Sequence, residues 1–349
     1  MEKVRIGSVG LGRLGLQHAV NIAGRIQHAQ LTALCDVDEA KLEETAGKLG
    51  VSNRFTSFDD MLACPEIDAV VLVSPSALHT KQIAAAMAAG KHVFSEKPLG
   101  TTVAECKEAE LAVEKHPELV FMLGFMRRFD ESYKYAHDKV IAGEIGKPIL
   151  FRSYSQDPEK FIKGTIAFIP HSGGQFLDMA VHDIDLARWF TSSEPETVYA
   201  IGGCYAHDEF AAYKDGDNVS CLMKFKNDCM VFLFSGRTAP HGYNVETEII
   251  GTKGILRIAS VPQKNLVEVL DGSGVRRECS ENFLERFDSA YVNEVQEFVN
   301  CIIEGRKPGV TVYDGTRVSE IAYTCKSAFE SGELVRFGNS TGFPESARG

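Results

Sequence analysis

The chain has 349 residues, 44% hydrophobic and 24% charged, which suits about two globular domains and excludes a disordered or low-complexity polymer. Lys and Arg total 37 against 48 Asp and Glu, a net charge of −11, so no broad basic surface for nucleic acid is expected. No apolar run approaches the ~20 residues of a membrane span, and the N-terminus enters a strand pattern directly, without the segments of a signal peptide.

Through residue 125, predicted strands at 4–9, 31–36, 69–73, 92–95 and 120–123 alternate with helices at 14–25, 39–48, 80–89 and 103–115. The strands are almost wholly apolar, as a parallel sheet covered on both faces requires. The alternation implies βαβ crossovers and a doubly wound α/β sheet, a Rossmann-type dinucleotide-binding domain over residues 1–125. After Gly143 the texture changes. Glu144-Ile145-Gly146-Lys147-Pro148 reads as a helix stop and turn. Strands follow at 149–155, 198–203, 219–225, 229–235, 245–250, 255–258 and 266–270, with hairpin chemistry at Asn227-Asp228 and at Gly251-Thr252-Lys253-Gly254. One helix interrupts them at 176–190, and helical patterns return at 283–304 and 315–331. Residues 126–349 therefore read as an α+β substrate-binding and oligomerisation domain with a largely antiparallel open sheet. Such a sheet, with helices on one face, has a second face to cover, which predicts a homo-oligomer, a dimer or tetramer.

The nine cysteines are scattered and include no C-x-x-C, so reduced thiols in a cytoplasmic protein are expected. His18, His28, His116 and His137 fall on predicted helices and read as surface residues.

Gly10-Leu11-Gly12-Arg13-Leu14-Gly15 is a G-x-G-x-x-G between a predicted strand and a predicted helix, with Asp36 ending the second strand. Gly10 permits a tight turn, Gly12 lets backbone approach a pyrophosphate, and Gly15 lets helix and strand pack closely. The phosphates then sit on the N–H groups opening the helix. Asp36 would accept bonds from the adenosine ribose and repel a 2′-phosphate, and Val37-Asp38 bring no cation. NAD is therefore expected over NADP.

Two further constellations carry chemistry. Glu96-Lys97-Pro98 lies at the carboxyl end of the fifth strand, the edge that faces a ligand in open α/β sheets. Pro98 keeps Lys97 out of the helical region, so its ammonium can aim at a substrate oxygen. A solvated Lys before a loop proline is the competing reading. Asp178 and His182, four apart, fall on one face of the predicted helix, with Asp185 continuing it. A carboxylate there can fix the tautomer of the imidazole and raise its pKa into the working range, leaving the other nitrogen to take a proton as a general base. An ordinary acidic helix surface competes with that reading. No third His or Cys stands at a convincing spacing for a metal ion, and none is expected.

Four segments together resemble the Gfo/Idh/MocA oxidoreductases: the glycine turn; Ser74-Pro75-Ser76-Ala77-Leu78-His79 with Ala89-Gly90-Lys91-His92-Val93-Phe94-Ser95-Glu96-Lys97-Pro98; Gly124-Phe125-Met126-Arg127-Arg128-Phe129; and Gly173-Gly174-Gln175-Phe176-Leu177-Asp178-Met179-Ala180-Val181-His182-Asp183-Ile184-Asp185. Within that family the last two segments look most like the inositol 2-dehydrogenases. The resemblance implies NAD-dependent oxidation of a small neutral cyclic polyol, myo-inositol going to 2-keto-myo-inositol. It implies Lys97, Asp178 and His182 as catalytic residues. It implies cofactor contacts from Gly10, Gly12, Arg13, Leu14, Gly15, Asp36, Ser74, Pro75, His79, Glu96, Lys97 and Met126, His79 being equally suited to capping the next helix. It implies substrate contacts from Lys97, Arg127, Asp157, Asp178, His182 and Tyr243. The alternatives are another inositol isomer or sugar, or a glycoside hydrolase that uses NAD transiently. An NAD(P)-binding repressor of this family is disfavoured because Lys97, Asp178 and His182 are all present.

Overall fold

Six short runs build the first sheet, and those at its centre are mostly apolar and almost completely buried because helices cover both faces. The computed structural model describes residues 3–338. It divides into two compact units. The first comprises Met1–Phe129 and Ser289–Ser319. Its elements are β1 (Val4–Val9), α1 (Arg13–Gly24), β2 (Ala29–Cys35), α2 (Glu39–Leu49), β3 (Asn53–Phe55), α3 (Phe58–Leu62), β4 (Ala69–Leu72), α4 (His79–Ala88), β5 (His92–Glu96), α5 (Val103–Glu114) and β6 (Phe121–Gly124). The strands are parallel, in the order β3-β2-β1-β4-β5-β6. The order reverses between β1 and β4, and the turns after those strands meet there, the usual ligand edge of such a sheet. Local chemistry sets the helix starts. The Asp38 side chain caps α2, and Thr102 with Glu105 forms a capping box on α5. Leu11, Ala19, Leu34, Leu42, Ala46 and Val51 pack into one apolar cluster beneath the first crossover.

The second unit comprises Asp130–Asp288 and the chain from Glu320 onward. It holds α6 (Glu131–Ile141), β7 (Pro148–Pro158), α7 (Ile162–Ser172), α8 (Gln175–Asp178), α9 (Val181–Thr191), β8 (Pro195–Gly203), β9 (Asn218–Phe225), β10 (Met230–Ala239), β11 (Asn244–Gly251), β12 (Ile255–Ile258), β13 (Glu268–Asp271), β14 (Gly274–Arg277) and α10 (Phe283–Arg286). The chain then forms α11 (Asp288–Glu304), α12 (Val312–Ser331) and β15 (Val335–Arg336). The main sheet has the order β12-β11-β7-β10-β9-β8-β15, antiparallel except for the parallel pair β7–β10. Phe151, Val198, Cys221, Met223, Val231 and Leu233 are buried on one face. The alternate residues Tyr199, Ile201, Leu222 and Met230 are exposed on the other.

The expected fold class is what the chain adopts, and the departures have physical causes. Residues 289–319 return to the first unit, so a division at 125/126 misses α11 and the start of α12. Nothing in an amphipathic helix states which sheet it covers. Strand β3 has only three residues, and α7 contains Gly164 and Pro170, both of which conceal a helical pattern. The predicted strand at 266–270 belongs to a separate two-stranded hairpin, β13–β14. The predicted helix at 176–190 is broken: α8 ends at Asp178, Met179 takes φ −106°, and α9 starts at Val181. No helix among the described residues is long and apolar enough to cross a membrane.

Candidate active site

In the first unit, Gly10 has φ +84°, and a Cβ there would lie 2.6 Å from the Val73 carbonyl oxygen. A Cβ on Gly15 would lie 1.9 Å from the Gly10 oxygen, so only glycine lets α1 come this close. Gly12 has open space around its Cβ position and is the N-cap of α1, with no side chain capping the helix. The N–H groups of Arg13 and Leu14 open that helix and suit a pyrophosphate. Asp36 follows β2. Its Oδ2 accepts from the Leu11 N–H (2.6 Å) and its Oδ1 from the Asp38 N–H (2.9 Å). The carboxylate is thereby fixed at the rim of the glycine turn. These residues fit a dinucleotide.

The turn after β4 begins with Ser74-Pro75, and the Ser74 hydroxyl pairs with Gln82. His79 is buried, and its ring nitrogens lie 2.7 Å from the Pro98 oxygen and 2.9 Å from the Ser74 oxygen. Burial pulls its pKa below the usual imidazole range. His79 thus clasps two loop segments through their carbonyls. The ring does not cap α4, whose N-cap is Leu78.

Glu96 is buried: its Oε1 is 2.9 Å from His18 Nε2, and its Oε2 accepts from the Lys97 N–H at 3.2 Å. His18 is fully buried, not a surface residue, and lies edge-on to Phe94 and Tyr291. Glu294, on α11, approaches the same imidazole at 3.9 Å and is fully buried. Burial first, and the Glu96 charge second, push its pKa well above the usual carboxylate range. Lys97 follows β5 and is half-buried, and its peptide to Pro98 is cis. Met126 and Arg127 are buried in a single helical turn after β6, where Arg128 donates to the Gly309 carbonyl and to Asp314. His28 and His116 lie in connections between elements, not on helices.

In the second unit, Asp157 lies near the end of β7, Asp178 closes α8, and His182 is the second residue of α9. Because the helix breaks between them, Asp178 and His182 flank a turn and do not share one helical face. Asp178 instead accepts from Arg237 Nη2 at 2.5 Å, and Asp157 accepts from Arg237 Nη1. Asp183 is fully buried and accepts from Ser153 (2.6 Å) and Ser155 (2.7 Å), anchoring α9 to β7. Asp185 is buried on the same helix. Tyr243 precedes β11 and is buried with its ring 6.3 Å from Phe287. His137 stacks on Trp189 at 3.8 Å.

Sequence reasoning missed Arg237, His18 and Glu294. Arg237 had a readable signal. Val231, Leu233 and Ser235 alternate inward along β10, and the next inward position is an arginine. A buried arginine needs acidic partners.

Residues 4–125 match the model of an oxidoreductase family with an NAD-binding Rossmann fold, and residues 133–257 match the GFO/IDH/MocA C-terminal domain. The chain belongs to the Gfo/Idh/MocA oxidoreductase family. It is 34% identical over 339 residues to scyllo-inositol 2-dehydrogenase (NAD(+)) of Bacillus subtilis (strain 168), covering 96% of each chain. It is 33% identical over 334 residues to Myo-inositol 2-dehydrogenase of Thermotoga maritima, covering 95% of this chain and 98% of that one. Scyllo-inositol dehydrogenase from Lactobacillus casei, solved with NAD(H) and scyllo-inositol, superposes with a TM-score of 0.93 at 46% identity, over 96% of this chain and 99% of that one. The chain is an NAD-dependent oxidoreductase acting on a CH–OH group.

The nine cysteines form no disulfide among the described residues. Burial pushes the Cys35 thiol up to about 12 and those of Cys229 and Cys301 to about 11. These three thiols are therefore protonated and unreactive near neutral pH.

Proposed function

We propose that the chain is an inositol 2-dehydrogenase oxidising scyllo-inositol and myo-inositol to one common ketone. The two isomers differ in configuration only at the carbon that loses its hydrogen, so oxidation there erases the difference. The similarity to scyllo-inositol enzymes at 34% and 46% identity favours scyllo-inositol as the better substrate. The similarity to a myo-inositol enzyme at 33% keeps myo-inositol, the isomer expected from sequence, as the second. The observation that carries the reading is the pairing of the carboxylates Asp157 and Asp178 on Arg237, in a chain whose other unit holds Asp36 against the glycine turn.

Gly10, Gly12, Gly15 and Asp36 would hold NAD, with Ser74, Pro75 and Met126 as further contacts, and the bound cofactor would supply the hydride acceptor for the carbinol carbon. His182 takes the hydroxyl proton. Lys97 neutralises the developing oxyanion through its ammonium, and the Glu96 carboxylate steadies the Lys97 backbone. An uncharged polyol must be recognised by many hydrogen bonds, which Asp157 and Asp178 supply as acceptors and Arg127 and Tyr243 as donors.

We also infer a cytosolic homo-oligomer. Tyr199, Leu222, Phe232 and Arg152 form one cross-strand row on the open face of the main sheet, and Ile201, Ser220, Phe234 and Tyr154 form the next. An apolar face of this kind suits a second copy. Light scattering is expected to give a dimer or tetramer.

The deciding experiment measures NADH formation from NAD⁺ with scyllo-, myo- and chiro-inositol and glucose. Accumulating NADH with the first two supports the reading. Glycoside cleavage without NADH accumulation overturns it.

A further inference from the structure

Strand β10 runs parallel to β7, in register from Met230 opposite Leu150 to Gly236 opposite Gln156, and the register then shifts before Ala239 meets Pro158. Arg237 and Asp157 both fall in that irregular step. The guanidinium, 8% exposed, uses its whole fork there. Nε donates to Gln175 Oε1 at 2.9 Å, Nη1 to Asp157 and Nη2 to Asp178 Oδ2 at 2.5 Å. Gln175 is held in turn, its N–H donating to Asp215 Oδ2 at 2.9 Å. The arrangement ties β7, α8 and β10 to one cation.

The two carboxylates differ from the arginine that joins them. Their side chains are 28% and 22% exposed, so they reach solvent while the guanidinium does not. A purely structural pair has no need of two acids on one buried arginine. One carboxylate already balances the charge, and the second leaves the cluster at −1. Planar, two-pronged contact fixes orientation as well as charge, which a lysine cannot reproduce.

We propose that Arg237 is a positioning residue that presents Asp157 and Asp178 as a rigid pair of acceptors for two hydroxyls of one neutral polyol, selecting against anionic analogues. The proposal rests on the reading of those two aspartates as substrate contacts. Arg237 itself touches no substrate. It takes one oxygen of each aspartate and leaves the others to accept, and the excess negative charge of the cluster repels phosphate or carboxylate on a sugar.

The test begins with wild-type enzyme. Removing one hydroxyl flanking the oxidised carbon of the inositol is expected to lower kcat/KM about 10–100-fold, the worth of a hydrogen bond to a charged group. An inositol monophosphate is expected not to compete. In Arg237→Lys, KM for the inositol should rise about 10-fold or more while kcat changes little, the pattern of lost uniform binding. The penalty for the missing hydroxyl should shrink, and calorimetric NAD⁺ affinity should be unchanged. A KM within about twofold of wild type, with discrimination intact, overturns the proposal. So does a parallel fall of kcat, NAD⁺ affinity and melting temperature with KM unmoved, the mark of a structural pair only. If Arg237→Lys does not fold, the wild-type comparison decides: a deoxy analogue turned over as well as the inositol overturns it. A wild-type enzyme that oxidises no cyclic polyol overturns the parent reading first, and this proposal with it, without any variant.

Discussion

Each unit buries charge beside its predicted chemistry, but in opposite senses. In the first, acid meets acid: Glu96 and Glu294 crowd one imidazole inside the fold, and burial drives Glu294 toward its neutral form. In the second, acid meets base: Arg237 joins Asp157 and Asp178, whose outer sides stay wet. The first arrangement steadies backbone, because Glu96 holds the Lys97 N–H. The second steadies side chains that stay accessible. A buried charge therefore says little about function until its partners and their exposure are known.

The largest expected effect breaks the second unit's chemistry and leaves the first intact. His182→Asn keeps a hydrogen-bonding group and removes a titrating one. It should cost about 10²–10⁴ in kcat, the usual worth of a general base, and flatten the acid limb of the kcat/KM profile. An acid limb unchanged in the variant would move the base elsewhere, with Lys97 next in line. Lys97→Ala probes the first unit in the same assay. It should reduce kcat by about 10²–10³ while NAD⁺ affinity measured by calorimetry holds, as for loss of one positioned charge. Weaker NAD⁺ binding with normal turnover would make Lys97 a cofactor residue only.

A smaller effect is expected at the glycine turn. Asp36 is fixed at the rim of the glycine turn by two backbone N–H groups. Asp36→Ala should weaken NAD⁺ and narrow its advantage over NADP⁺ by about tenfold, the worth of one charge-assisted contact. Steady-state kinetics of wild type with both dinucleotides checks the premise, and a preference for NADP⁺ would refute it.

The same contrast explains what the sequence could reveal. The nucleotide turn is local: Gly10, Gly12 and Gly15 lie within one strand-turn-helix, and their spacing carries the geometry. The βα alternation is local too, so the doubly wound sheet was legible. Arg237 reaches partners 59, 62 and 80 residues away, through a parallel β7–β10 pairing that no turn announces. Glu294 arrives on a helix that crosses back from the far end of the chain. The Asp178–His182 spacing predicts one helical face, but Gly173 and Gly174, both with positive φ, precede a one-turn helix that ends at Asp178. Spacing conveys a face only when the helix continues.

The smallest expected effect concerns stability. The folded Glu294 carboxyl has its pKa raised, by burial first and by Glu96 second, so the folded state holds its proton more tightly than the unfolded chain does. The linked stability is therefore fully present below the ordinary carboxylate range and is lost as pH rises through the raised value. Glu294→Gln keeps the shape and removes that ionisation. Its melting temperature should match wild type at acidic pH and exceed it increasingly toward alkaline pH, each kcal/mol appearing as about 2–4 °C in a domain of this size. Titrations away from this cluster are common to both proteins, so the difference between the two melting curves reports the coupled Glu294–Glu96 site. A constant difference across pH would mean that Glu294 stays ionised in the fold, held by His18 as a charged partner. The first unit would then pair acid with base as the second does, and the contrast between them would vanish.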